Sequence, residues 1–220
     1  MLLVINDVLN PDDIAKVTDR LNALNFVDGS TTAGWHAKLV KNNLQADRKQ
    51  IDYQPLNKAV TEAIMRNPIF RMAARPRHVT PLLFSRYRDG MEYGTHVDDP
   101  IMQGLRSDIS FTLFLSEPAS YDGGELVMET SGGEQAYKPA AGQMIIYPST
   151  TLHRVTPVTK GERVAAVGWC QSYIRTAEQR EILYDLDIAR RNIFERERKS
   201  RDFDLLSRSH ANLLRMWADG

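Results

Sequence analysis

One cysteine, Cys170, is all the chain contains, which excludes an intramolecular disulfide and a thiolate-held metal cluster. Such usage suits a reducing compartment. Net charge is also lacking: 28 basic and 28 acidic side chains cancel over 220 residues. Nothing global therefore favours nucleic acid or a membrane surface as partner. No apolar run approaches a membrane span. Residues 1–5 are apolar, but Asn6 and Asp7 follow at once and no basic start precedes them, unlike a signal peptide. No glycine-rich turn stands between a strand and a helix pattern, as a phosphate loop requires. There is no internal repeat and no low-complexity segment. The expectation is a soluble, cytoplasmic protein with one sizeable core and a smaller appendage.

What is present begins with helix and strand patterns. Residues 2–5 read as a short strand. Asn10, Pro11, Asp12 and Asp13 form a helix start, and Ile14, Val17, Leu21 and Leu24 continue it over about 11–25. A turn falls at 28–30, residues 34–40 read as a strand and 42–50 as polar loop. A helix over 54–66 is stopped by Asn67-Pro68. Residues 77–87 read as one strand. From 108 to 174 the pattern is strand and turn throughout. Ile109, Phe111, Leu113 and Leu115 alternate with Ser110, Thr112 and Phe114. Further strands are expected at 125–129, 134–138, 144–147, 152–158 and 162–173. The glycine pairs 123–124 and 132–133 are hairpin turns between them. Many short strands at this spacing argue for a sandwich or jelly roll. Two helices, 177–198 and 203–217, close the chain and pack on the barrel or on a second subunit.

The chemistry centres on His96-Val97-Asp98. In an extended strand, residues two apart share a face, so imidazole and carboxylate converge. His153 opens a later apolar strand. Two imidazoles and one carboxylate on one side of a metal form the facial triad of non-haem Fe(II) oxygenases. Arg163, on the next strand pattern, shares a face with Ala165, Val167 and Trp169. A guanidinium on an inward apolar face needs an anion. A bound carboxylate is one partner and a core Asp or Glu the other; with the triad upstream, the bound carboxylate is favoured.

These residues carry a resemblance. Tyr87, Gly90, Tyr93, His96 and Asp98, then His153 and Arg163, resemble the prolyl 4-hydroxylase branch of the Fe(II)/2-oxoglutarate dioxygenases. The stretches 105–110, 121–126 and 147–153 narrow the resemblance to the bacterial PKHD-type hydroxylases, over essentially the whole chain. It implies a mainly β fold, a double-stranded β-helix or jelly-roll core with N- and C-terminal helices. It divides the chain into a support region at 1–76, a dioxygenase domain at 77–174 and a helical region at 175–220. It implies Fe(II) on His96, Asp98 and His153, with Arg163 on the C5 carboxylate of 2-oxoglutarate and Tyr87 hydrogen-bonding that co-substrate. L-ascorbate is the implied reductant. The implied reaction consumes O2, releases succinate and CO2, and hydroxylates an unactivated C–H bond. Its substrate is a prolyl- or lysyl-like side chain in a peptide, or a small molecule of the kind handled in iron uptake. Two other readings remain: an oxidative nucleic-acid dealkylase, disfavoured by the zero net charge, and a non-catalytic iron or oxygen sensor.

Other residues are read more plainly. His36, His78 and His210 are surface or structural histidines, and Asp99 is a turn or supporting group. Tyr93 and Trp169 could line the pocket, although aromatics on strands are more often core, and Cys170 is read as a buried inert thiol. Arg190, Arg191 and the run 196–201 form a solvated helix face. The C-terminal helices pack on the barrel or form a homodimer contact.

Overall fold

The computed structural model describes residues 1–219. The N-terminal part holds β1 (Leu3–Ile5), α1 (Pro11–Asn22), β2 (Phe26–Asp28), β3 (Lys41–Asn42), β4 (Leu44–Ala46), α2 (Tyr53–Arg66) and α3 (Pro68–Ala74). Then come β5 (Pro76–Val79), β6 (Leu83–Tyr87), β7 (Glu92–His96), β8 (Ile101–Met102), β9 (Leu105–Arg106) and β10 (Ile109–Phe114). After these follow β11 (Tyr121–Gly123), β12 (Leu126–Thr130), β13 (Gly133–Tyr137), β14 (Met144–Pro148), β15 (His153–Val155), β16 (Val158–Gly161) and β17 (Arg163–Ser172). Two helices, α4 (Ala177–Glu197) and α5 (Arg201–Trp217), end the chain.

Two antiparallel sheets face each other as a jelly roll. The larger runs β1-β14-β10-β17-β6-β4-β2, with β5 also on β17; the smaller runs β13-β12-β15-β7-β3. The sequence alternation in β10 explains the layering. Ile109, Phe111 and Leu113 enter an apolar cluster with residues of α1, α2 and α3. Phe114 enters a second cluster with Tyr87, Leu126, Met128, Tyr147 and Val155, which come from both sheets. So the large sheet is covered on both faces, and all six residues of β10 are buried.

Local chemistry sets the helix ends. The Asn10 side chain accepts from the Asp13 amide at 2.9 Å, and Pro11 opens α1. Asn67 ends α2 as expected, but its side-chain Oδ1 also accepts from the Ile69 and Phe70 amides, so α3 begins directly. The helix that follows Pro68 is therefore an addition to the sequence reading.

Several expected strands are corrected. Residues 34–40 form no strand; they hold a short 3-10 turn, Ala37–Leu39. The strands β3 and β4 lie instead in and beside the stretch read as loop, because Lys41, Asn43 and Gln45 turn polar side chains toward a polar cleft rather than an oily core. The strand expected over 77–87 is two strands, since Pro81 brings no N–H to the ladder between them. Pro157 divides 152–158 in the same way. Residues 121–123 are not simply turn but pair with β16 around a bulge. The strand β2 and the small hairpin β8–β9 were not expected.

The C-terminal helices pack on each other, and α4 also packs on α3. At their centre Asp187, 1% exposed, meets Arg75 at 3.1 Å and Arg190 at 2.5 Å. The Arg75 guanidinium also stands 3.0 Å from the His210 ring. Arg190 is thus turned inward to a buried carboxylate, not wholly solvated, while His210 is structural as expected. No helix among the described residues is long and apolar enough to cross a membrane.

Candidate active site

The smaller sheet supplies two imidazoles as a pair. His96 ends β7, His153 begins β15, and the two are directly opposite in the register. Their ring centroids are 4.3 Å apart. Asp98 lies just beyond β7, yet its carboxylate still converges with His96 as the alternation argument required. One ligand atom from each of the three residues falls within 4.8 Å of the others. The carboxylate oxygens stand 4.0 Å from His96 Nε2 and 3.9 Å from His153 Nε2.

The two rings are oriented by the same local device. His96 Nδ1 is 2.8 Å from the Gly94 carbonyl, and His153 Nδ1 is 2.9 Å from the Thr151 carbonyl. A carbonyl only accepts, so each Nδ1 carries the proton and each Nε2 keeps its lone pair for the space beside Asp98. Burial, and then the neighbouring His153, push the pKa of His96 down to about 4. Its ring is therefore neutral at pH 7, the form that ligates a cation. Asp98 is fixed from the larger sheet: the Ser110 hydroxyl donates to Oδ2 at 2.5 Å, and Ser149 Oγ stands 2.8 Å from Ser110 Oγ. Two oriented imidazoles with a fixed carboxylate suit a divalent transition metal such as Fe(II).

The opposite wall is basic. Arg163 opens β17 and is 1% exposed. Among the described residues, no carboxylate lies within 4.0 Å of its guanidinium. It lies 5.2 Å from the ring centroids of Tyr87 and Phe114, and its Nε has no hydrogen-bond partner. The core salt bridge considered from sequence is absent here. Tyr87 is its direct partner across β6, and its phenol is pushed up by burial. A buried cation without an anion is costly, so the site is shaped for an anionic ligand.

Further residues complete the cleft. Tyr93, weighed between pocket and core, stacks on His96 with centroids 3.6 Å apart. Trp169, weighed in the same way, lines the cleft with its indole N–H unpartnered. Lys41 lies over the Tyr93 ring, 5.0 Å from its centroid, and hydrogen-bonds Thr32 Oγ1 at 3.1 Å. Burial brings the pKa of Lys41 down to about 8, against the pull of Asp98. Asn43, Gln45 and Thr112 are buried polar residues facing the same space. A period-two pattern with its polar face inward, Lys41, Asn43, Gln45, was the available signal. Asp99 lines the rim and is not among the three clustered ligands. His36 and His78 lie outside the cleft lining, and Cys170 is buried on the helix side of β17 with its thiol pushed up by burial.

Known proteins fit this arrangement. The sequence profile described as "2OG-Fe(II) oxygenase superfamily" matches residues 82–171. A PKHD-type hydroxylase from Acaryochloris marina is 53% identical over 219 residues, covering 100% of both chains. One from a Picosynechococcus strain is 53% identical with the same coverage. Among solved structures, a Pseudomonas putida prolyl-4-hydroxylase superposes with a TM-score of 0.53 at 22% identity, over 78% of this chain and 92% of that one. A prolyl hydroxylase from Trichoplax adhaerens, solved with a peptide fragment of hypoxia inducible factor, gives 0.57 at 15% identity, over 83% and 86%. At those identities the structures speak for the fold alone.

Proposed function

Because the chain belongs to the PKHD-type hydroxylases of the 2OG-Fe(II) oxygenase superfamily, we propose that it hydroxylates an unactivated C–H bond while 2-oxoglutarate and O2 become succinate and CO2. His96, Asp98 and His153 hold Fe(II). The metal, when bound, supplies the redox chemistry that couples O2 reduction to decarboxylation and C–H hydroxylation. The remaining work belongs to the chain. Gly94 and Thr151 aim the imidazoles, and Ser110 holds the carboxylate in place. Arg163 pairs with the C5 carboxylate of 2-oxoglutarate through its guanidinium fork. The Tyr87 hydroxyl adds a hydrogen bond to the co-substrate. Tyr147 and Trp169, both buried, keep water from the inner end of the cleft. L-ascorbate serves as reductant, and the oxidised substrate is a prolyl- or lysyl-like peptide side chain or a small molecule.

The observation that carries this reading is Arg163: a buried guanidinium with no protein carboxylate, in the same cleft as a His–Asp–His cluster. The test is anaerobic addition of Fe(II) and 2-oxoglutarate, followed by visible absorption and then by succinate release on admitting O2. A charge-transfer band that needs both additions, and succinate formed in step with O2 uptake, are the expected results. Iron binding with no response to 2-oxoglutarate would overturn the reading.

A further inference from the structure

Within a few residues, β3 and β4 carry the chain from the smaller sheet to the larger. Lys41 pairs with Tyr93 in one, and Leu44 pairs with Arg86 in the other. Asn43 is the residue between. One step along the β4–β6 register puts Asn43 opposite Tyr87, which is itself opposite Arg163. The three thus form one row across three neighbouring strands, facing the cleft.

Asn43 is 3% exposed, and neither Oδ1 nor Nδ2 has a hydrogen-bond partner. A buried amide with both ends unpaired is destabilising, and such groups call for an explanation. The surroundings are built to keep it there. A Cβ on Gly29 would collide with Asn43 Oδ1, so a side chain at 29 would displace the amide. The Gly29 N–H meanwhile donates to the Asn43 backbone carbonyl at 2.9 Å. The Asn43 amide lies near enough to the Tyr87 phenol to favour its ionised form, as the Arg163 charge does, although no hydrogen bond of good geometry joins amide and phenol.

The geometry points to Asn43 as a co-substrate-binding residue: its amide, seated on Gly29 beside Tyr87, donates to the bound 2-oxo acid. This rests on the Fe(II)/2-oxoglutarate reading above. The acid suits the site because both carboxylates and the keto oxygen only accept. The amide answers with a donor at the inner wall, in line with Arg163 and away from the mouth where a larger substrate enters.

The test uses the full chain with Mn(II) in place of Fe(II), so that binding is read without turnover. Calorimetry gives the dissociation constant of 2-oxoglutarate for wild type, Asn43→Ala and Gly29→Ala; Mn(II) affinity and the unfolding midpoint are measured alongside. We expect unchanged Mn(II) affinity and about tenfold weaker 2-oxoglutarate binding in Asn43→Ala. Gly29→Ala should weaken it too, although the amide is still in the chain. A second titration uses 2-oxopentanoate, which lacks the distal carboxylate. A loss seen with both acids places the amide at the chelating end; a loss seen with 2-oxoglutarate alone places it at the distal carboxylate. Wild-type affinity in Asn43→Ala overturns the inference, including the case where only the saturation of the oxidised substrate changes. Should Asn43→Ala fail to fold, Gly29→Ala decides in the same titration. Failure of wild type to bind any 2-oxoglutarate would instead strike the co-substrate reading itself.

Discussion

The two sheets divide the site between them. The smaller one brings the metal ligands, His96 and His153, as a cross-strand pair on short strands, of which β7 is at least partly exposed at each of its other positions. The larger one brings the proposed anion-facing pair, Tyr87 and Arg163, with Asn43 beside them between β3 and β4; its central strands are covered by helices on one side and by the smaller sheet on the other. The metal half is aimed by local carbonyl contacts within two residues of each ring. The anion half is held by the packing of the whole core. A substitution in the first should cost chemistry with little stability. In the second, a substitution touches the packed core as well as the ligand, so stability and binding have to be read side by side.

The largest effect that tests this division is at the ligands. His153→Ala and Asp98→Ala should lose stoichiometric Fe(II) and nearly all succinate formation, yet unfold at a midpoint close to that of the metal-free wild type. Full metal stoichiometry in either variant would break the assignment. Next comes Arg163→Met, which should keep the metal and bind 2-oxoglutarate about a hundredfold more weakly, as expected when one member of a buried charge pair is removed. The ligand-free variant should be no less stable than wild type, because an uncompensated buried charge has gone; a large loss of stability would mean that Arg163 serves the core.

Ser110→Ala sharpens the boundary, since a residue of the large sheet here acts on a ligand of the small one. Loss of the 2.5 Å hydrogen bond to Asp98 should lower Fe(II) affinity by about tenfold to a hundredfold. Affinity for 2-oxoglutarate at saturating metal should hardly move. The smallest effect is at Lys41, where the sheets meet. Its pKa is depressed by burial to about 8, so between that pH and its ordinary value the unfolded chain binds more protons than the folded one. Stability of the wild type should therefore rise as pH increases through that window. Lys41→Met should be more stable at pH 7 by about 1–2 kcal/mol, an advantage that shrinks toward pH 10. Denaturant unfolding at several pH values checks this, and a gap that widens with pH would contradict it.

Much of the metal half was legible beforehand, because strand alternation and an ordered His–Asp–His set are local signals. Arg163 was legible as well, as the one charge on an apolar face, and its neighbours Ala165 and Trp169 are buried with it. The small strands β3 and β4 were not, because their inward residues are polar and the usual apolar signal is reversed. Tyr93 and Trp169 stayed open between pocket and core, because an aromatic against a metal ligand and an aromatic in a core have the same pattern in sequence. Pro81 and Pro157 broke strands that hydrophobicity alone joined. The second helix after Pro68 was hidden because Asn67 serves as stop and start at once.

The direct pairing of His96 with His153 also bears on how the molecule is assembled. These strands are distant in sequence, and closing such a loop is a slow, late event in β-rich folding. A metal ion meeting the nascent chain finds His96 and Asp98 near each other but not His153, so the complete set of three ligands is offered only once β7 and β15 have paired. Side chains alternate faces along a strand, so a slip of one position between β7 and β15 would turn an imidazole outward while leaving most of the backbone ladder intact. A refolded preparation with native circular dichroism but less than one metal per chain would carry that error, and metal stoichiometry is the gauge that finds it.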